Sequence, residues 1–328
     1  MIDTVATYES PRVSLPANIL SVQPGGGVCY EIELAWGRLR RWYLKKFRSG
    51  YLQRMAALRR GVTNGAPHEI LDPRDLKYCS NQCTAHWLPE DDPFTWRDRL
   101  PLARWGLAEV QIFGWPLLLA TIVLAWLGPP WSWLASNPLI LLVLVVYFFR
   151  DPFRIIPQDA NAILSPADGT IAEITDVDHY DFLDGPAVRI GIFLSIFDVH
   201  VNRSPRQARV VAMDYKPGEF LNAMNPESAM RNEFMWLGME ESADPRRRFA
   251  VRAISGLIAR RIVCALRPGQ VVQRGEKFGM IKLGSRTELI LPRDAVQVEV
   301  AVGDKVQAGG SILARYTTPL PANGANRG

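Results

Sequence analysis

The chain has 328 residues, 48% of them hydrophobic and 22% charged, with a formal net charge of +5. That composition excludes global disorder, and the charge is too thin for a general nucleic-acid coat. Four cysteines at irregular spacing exclude a disulfide-stapled scaffold and fit a reducing compartment. No charged residue occurs between Val110 and Phe149, so composition alone already points to a membrane.

Residues 1–35 include a Pro-, Ser- and Gly-rich stretch that runs through Gly25-Gly26-Gly27. They lack a basic region followed by an apolar one, so the expectation is a mobile tail and not a secretory signal. From Trp36 the pattern turns helical, with Trp36, Leu39, Tyr43, Phe47, Tyr51, Met55 and Leu58 three or four apart. Nine Lys and Arg residues and no acid lie between Trp36 and Arg60, which suits an in-plane helix on anionic lipid. The alternative is a basic helix packed on the protein body. It opens a polar extension covering 36–109. There Cys79, Cys83 and His86, with His68, have a spacing that zinc would accept if the segment were helical. A second ligand pair is missing, so they are read as linker residues and no metal is expected.

Residues 110–149 hold two apolar runs, Gln111–Leu127 and Trp131–Phe149, on either side of Gly128-Pro129-Pro130. At 1.5 Å per residue each is about 25–28 Å long, close to the hydrocarbon thickness of a bilayer. Arginines flank the block (Arg97, Arg99 and Arg104 before it, Arg150 and Arg154 after it) and none lies in the turn. The positive-inside tendency then gives a membrane hairpin with both ends cytoplasmic.

Residues 150–328 read as a separate, mostly β domain, with Val- and Ile-rich runs at 169–174, 187–194, 208–213 and 259–263 between glycine turns. Gly269-x-x-Val272-x-x-Gly275 is echoed 34 residues later by Gly303-x-x-Val306-x-x-Gly309. Such turns are similar to the hairpins of biotinyl and lipoyl carrier domains. The fold class expected is mainly β: a compact β-barrel or sandwich with barrel-sandwich-hybrid-like hairpins, preceded by an α-helical membrane hairpin.

No G-x-S-x-G elbow, P-loop or H-E-x-x-H is present, and the chain has four histidines in all. Three strings stand out instead: Ser165-Pro-Ala-Asp-Gly169, Phe197-Asp-Val-His-Val-Asn-Arg-Ser-Pro205 and Phe278-Gly-Met-Ile-Lys-Leu-Gly-Ser-Arg286. Glycine before serine leaves a carbonyl that the hydroxyl can approach, and an Asp and a His elsewhere can supply base and acid. Each string alone is an ordinary turn or strand.

Their combination and order resemble the phosphatidylserine decarboxylases, specifically the short bacterial and archaeal branch, from about Arg150 to Thr318. Tyr215-Lys-Pro-Gly-Glu-Phe-Leu-Asn-Ala223, Arg231-Asn-Glu233 and Ile254-Ser-Gly-Leu-Ile-Ala-Arg-Arg-Ile-Val263 extend the match. The resemblance implies a proenzyme that cuts itself between Gly284 and Ser285. Ser285 then becomes a covalent pyruvoyl cofactor, whose ketone condenses with the serine amine of the lipid and draws electrons as carbon dioxide leaves. It also implies a β chain of 1–284, an α chain of 285–328 and a carboxy-lyase of phospholipid biosynthesis that makes phosphatidylethanolamine at the inner, cytoplasmic membrane.

Residue by residue, the resemblance makes Ser285 the pyruvoyl precursor, Gly284 its scissile partner, Asp168 a charge-relay carboxylate and His200 a catalytic histidine. Arg203 stands where longer relatives carry a second histidine, leaving the base for self-cleavage open. Arg203 and Asn202 are expected to bind substrate. Arg286 follows the serine where long forms have threonine. The partners expected are phospholipid and membrane but no nucleic acid, and a homo-oligomer is compatible with this reading. Two alternatives stay open: a decarboxylase of a related lipid such as archaetidylserine, and a non-enzymatic membrane-tethered adaptor. The adaptor would carry an exposed hairpin lysine, for which Lys282 is the nearest match.

Overall fold

The structure is a computed structural model that describes residues 14–221, 227–243, 245–257, 261–282 and 284–317. Parts of the matched strings (Asn222, Ala223, residues 258–260 and Leu283) and the first 13 residues of the expected tail lie outside the described residues. The chain divides into two compact units. One combines the described residues of 1–25, 80–84 and 154–328; the other consists of 26–79 and 85–153.

In the second unit, α1 (Val28–Phe47) and α2 (Ser49–Leu58) replace the single helix expected from Trp36. Helix α1 begins directly after the glycine triplet, so Val28–Ala35 are helical and not tail. Trp36, Leu39, Tyr43 and Phe47 form an exposed stripe along α1. The cationic face is different from expectation. Arg40 and Arg41 pair with Asp75, and Arg74 pairs with Asp72, both aspartates having fully buried side chains. For those two arginines the packed alternative holds: acids from 69–78 that the Trp36–Arg60 window did not contain fold back onto them. Residues Cys79–His86 are turn and extended chain, so the shared helical face imagined for Cys79, Cys83 and His86 does not exist. Cys79 Sγ and His68 Nε2 both lie 3.1 Å from the Asp75 carbonyl oxygen. Among the described residues no three His, Cys, Asp or Glu side chains are placed to hold a metal.

Two helical stretches of this unit, Arg104–Trp126 and Trp131–Phe148, are long and apolar enough to cross a membrane. They contain α3 (Leu107–Trp126), α4 (Trp131–Leu134) and α5 (Ser136–Phe148), and α3 packs along α5. The two ends of the hairpin are tied together. Ala103 N–H donates to Phe149 O (2.7 Å) and Asp151 N–H to Pro101 O (2.9 Å). The Phe149 ring lies on the bare face of Gly106, where a Cβ would stand 1.9 Å from it, so glycine is required for this closure.

The first unit is mainly β. Its strands are β1 (Ala162–Leu164), β2 (Gly169–Tyr180), β3 (Gly185–Leu194), β4 (Val201–Arg203), β5 (Ala208–Lys216), β6 (Phe234–Glu241) and β7 (Arg248–Ser255). They continue as β8 (Arg261–Cys264), β9 (Val271–Val272), β10 (Lys277–Lys282), β11 (Ser285–Pro292), β12 (Val296–Val298), β13 (Lys305–Val306) and β14 (Ile312–Tyr316). Among the described residues they form an eight-stranded sheet in the order β13-β2-β3-β11-β7-β6-β5-β9 and two three-stranded sheets, β4-β10-β8 and β1-β14-β12. Alternation along β11 sends Leu289 and Leu291 into the core with Ile190, Ile192 and Val251. Arg286 and Glu288 go to the opposite face.

The glycine echo is a local twofold. Gly303 N–H donates to Ile171 O and Gly309 N–H to Ser165 O, both at 2.8 Å; in the other copy Gly269 N–H donates to Val210 O (2.7 Å) and Gly275 N–H to Ser204 O (2.8 Å). Val306 pairs with Gly169 as Val272 pairs with Ala208. The copies also exchange bonds, Leu164 N–H to Pro205 O (3.2 Å) and Arg203 N–H to Pro166 O (3.0 Å). Under this relation Asp168 corresponds to Gln207, but Asp168 is buried and Gln207 is exposed.

The N-terminal residues 14–25 belong to this unit and do not form the tail expected. Ile19 is part of the main core, Val22 is fully buried, and Cys264 N–H donates to Val22 O at 2.8 Å. Two apolar side chains among prolines and glycines suffice to strap the segment down, and average composition hides them.

Candidate active site

Gly284 and Ser285 lie where the chain passes between sheets. β10 ends at Lys282 in a three-stranded sheet, and β11 begins at Ser285 in the middle of the eight-stranded one. So short a crossing requires a tight bend, and Gly284 takes φ +64. A side chain in that region costs roughly 1–2 kcal/mol. Nothing lies within 4 Å of where its Cβ would be, so backbone conformation, not space, demands glycine.

Ser285 is fully buried between its register partners Leu194 and Ser255. Its hydroxyl has no hydrogen-bond partner among the described residues. Leaving such a group unsatisfied costs about 1–3 kcal/mol, and a buried polar orphan is one mark of a reactive group. Thr287, two residues on and on the same face of β11, accepts from Asn202 Nδ2 at 3.2 Å.

His200 precedes β4, which pairs with β10, and Ile281 N–H donates to the His200 carbonyl at 3.1 Å. That pairing brings the ring to the end of β10. Its Nε2 accepts the Gly284 N–H at 3.2 Å, and its Nδ1 lies 2.9 Å from the Asp198 carbonyl oxygen. One nitrogen accepting and the other facing a carbonyl assign a neutral imidazole with its proton on Nδ1. His200 is 1% exposed.

Of the other expected residues, Asn202 reaches the Ser285 strand through Thr287, and the rest have partners of their own. Asn202 also donates to Pro166 O (3.3 Å), and Arg203 Nη1 donates to Gly275 O (3.2 Å). Both side chains are therefore engaged by the protein itself. Asp168 Oδ2 accepts from Arg154 Nη2 at 2.6 Å and Oδ1 from Ala308 N–H at 2.8 Å. Burial raises the Asp168 pKa, against the Ala308 N–H and Arg154, and the charge of Asp198 adds to the rise. Arg286 points away from Ser285 into an ion-pair group with Glu173 (2.5 Å) and Glu288 (3.0 Å). Burial opposes the Glu173 charge, yet Thr175, Arg286 and Arg189 outweigh it and hold that carboxyl at about 2. Lys282 is 6% exposed and not at an open hairpin tip.

Several neighbours escaped the sequence reading. Thr287 was legible by strand alternation from Ser285. In the sequence Arg154 marks only the topology of the hairpin, because its partner Asp168 lies across irregular chain. Asn232 sits in a matched string, but its task appears only in three dimensions: its Nδ2 donates to Leu221 O (2.8 Å) and to the O of Ser255 (2.7 Å), the register partner of Ser285. Next to it Glu233 is buried, which pushes its carboxyl up to about 7 against the pull of Arg261 and the Tyr215 hydroxyl.

The family model described as phosphatidylserine decarboxylase matches residues 141–314. A curated phosphatidylserine decarboxylase proenzyme of Rhodopirellula baltica is 47% identical over 243 residues, covering 74% of this chain and 99% of the relative. Proenzymes of the same name from Carboxydothermus hydrogenoformans (43% identical, 56% of this chain, 84% of the relative) and Syntrophus aciditrophicus (39%, 66% and 97%) agree. The fold and site are those of a β-rich chain with a glycine-serine crossing held against a histidine. The chain belongs to the phosphatidylserine decarboxylase family.

Proposed function

We propose that this chain is the precursor of a pyruvoyl-dependent enzyme that decarboxylates phosphatidylserine to phosphatidylethanolamine. The observation that carries the reading is the Gly284–Ser285 crossing: a left-handed glycine, a buried hydroxyl without a partner, and His200 Nε2 on the preceding N–H. In maturation Ser285 Oγ adds to the Gly284 carbonyl carbon, and the Gly284–Ser285 C–N bond breaks to leave an ester. Loss of the residue-285 Cα proton and cleavage of its Cβ–Oγ bond release the Gly284 carboxylate. Water then displaces ammonia, leaving pyruvoyl at the head of 285–328. The residues around Ser285 fit that group, since they bury a polar oxygen that has no hydrogen-bond partner among the described residues.

The pyruvoyl group supplies a carbonyl that condenses with the substrate amine and accepts electron density as carbon dioxide departs. His200 is proposed to deliver a proton to the substrate α-carbon through Nε2, which cleavage frees from a fixed Gly284 N–H. Asp168 is proposed to act in self-cleavage. Asn202 is proposed to fix the His200 strand against the Asp168 turn through Pro166, and Arg203 to fix it against the glycine turn at Gly275. The hairpin is proposed to anchor the chain in the inner membrane with the catalytic unit cytoplasmic, supported by its flanking arginines. The paired glycine turns favour barrel-sandwich-type hairpins. The buried Lys282 removes the support for the adaptor alternative.

Denaturing mass spectrometry tests the reading. Wild type should give a fragment beginning at residue 285 with a blocked amino terminus, and Ser285→Ala a single uncut, inactive chain. An uncut wild-type chain with full activity would overturn it.

A further inference from the structure

We propose that Arg154 is a positioning residue for self-cleavage, holding Asp168 oriented and ionised while the precursor cuts. This inference rests on the maturation role proposed for Asp168. Three observations carry it.

The contact itself is short and enclosed: Arg154 Nη2 is 2.6 Å from Asp168 Oδ2, and both side chains are about one-tenth exposed (10% and 11%). A buried carboxylate is stable only if paired and hydrogen-bonded. Arg154 supplies the counter-charge and Ala308 N–H fills the second oxygen.

The pair also breaks the symmetry of the fold. The local twofold relates the Ser165-Pro166 turn to the Ser204-Pro205 turn, with matching hydroxyl bonds of 2.6 Å to Ala167 O and 2.7 Å to Arg206 O. At the position equivalent to Asp168 the second turn has an exposed Gln207. The turn therefore closes without a carboxylate. Turn architecture does not account for a buried charge at 168, nor for an arginine brought in from outside the repeat to meet it.

The charges facing Asp168 make Arg154 decisive. Burial and Asp198 both push the carboxyl toward its neutral form; the Ala308 N–H and Arg154 oppose them, and of these two only Arg154 brings a charge. Removing an opposite charge at this range raises a carboxyl by ~1–3 pKa units. If self-cleavage needs the ionised form, the acid limb of its pH profile moves upward by that amount. The rate on that limb falls ~10-fold per unit.

The full chain can be synthesised in a cell-free system into phospholipid nanodiscs and its conversion followed against pH by mass. For Arg154→Gln the acid limb is expected at higher pH, with cleavage ~10-fold or more slower than wild type near pH 6 and recovering as pH rises. Arg154→Lys keeps the charge without the fork and should retain the wild-type midpoint. It also guards against misfolding, because a collapsed glutamine variant shows no recovery at high pH. A wild-type pH profile for Arg154→Gln overturns the proposal, as does a shifted midpoint for the folded lysine variant. Asp168→Asn separates the two readings. If it matures at the wild-type rate, the role of Asp168 fails. If it stalls while Arg154→Gln behaves as wild type, only the role of Arg154 fails.

Discussion

His200 holds one proton and one lone pair in fixed directions. With Nδ1 set on the Asp198 carbonyl, the lone pair on Nε2 points at the Gly284 N–H, one peptide unit from the bond proposed to be cut. This geometry fits a neutral ring, and the acid role proposed for it needs only one proton gained at Nε2 without moving Nδ1. The expected consequence is separable. In the fraction of His200→Ala that still matures, lipid decarboxylation should fall by roughly two to four orders of magnitude, the usual scale for a lost general acid or base. Turnover per pyruvoyl, counted by mass spectrometry and headgroup analysis, checks it; wild-type turnover would make the ring structural.

At the level of elements, the strands of the catalytic unit were largely readable. The runs at 169–174, 187–194 and 208–213 lie within β2, β3 and β5, because Val and Ile beside glycine turns leave little choice. Gly284, Ser285 and His200 were legible as strings, and their meeting follows from β4 pairing with β10. What stayed hidden depends on long-range partners: the burial of Ile19 and Val22, the capture of Arg40 and Arg41 by Asp75, and the Arg154–Asp168 pair. None of these contacts lies at a spacing that a helical or strand pattern would pair. The apolar hairpin was legible by length, and the structure adds its closure. Because Ala103 and Asp151 bond across its base to Phe149 and Pro101, both ends must lie on one side of whatever the helices cross. Membrane vesicles should retain the chain through carbonate extraction. Single cysteines placed at 100 and 152 in a cysteine-free background should react with an impermeant reagent from the same side. Opposite-side labelling would rule out the hairpin.

For the whole molecule, the position of the proposed cut matters more than its chemistry. It falls between two sheets, so β10 keeps its partners β4 and β8, and β11 keeps β3 and β7. No strand pairing has to break for the two new ends to part. The C-terminal piece remains woven in by β11 at mid-sheet, by β13 on β2 and by β14 on β1. It also contributes Leu289, Leu291, Val296, Val306, Leu313 and Tyr316 to the shared core. Burying side chains of this size is worth ~1.5–3 kcal/mol each, so releasing the piece costs ~10 kcal/mol or more before any hydrogen bond is counted. The two chains of the matured protein should therefore stay together without a disulfide, co-migrating through size exclusion in mild detergent under reducing conditions. They should separate only at denaturant concentrations that also melt the β-unit by circular dichroism. Loss of the 285–328 fragment under native conditions would mean that β11 is held far more weakly than its place in the sheet requires.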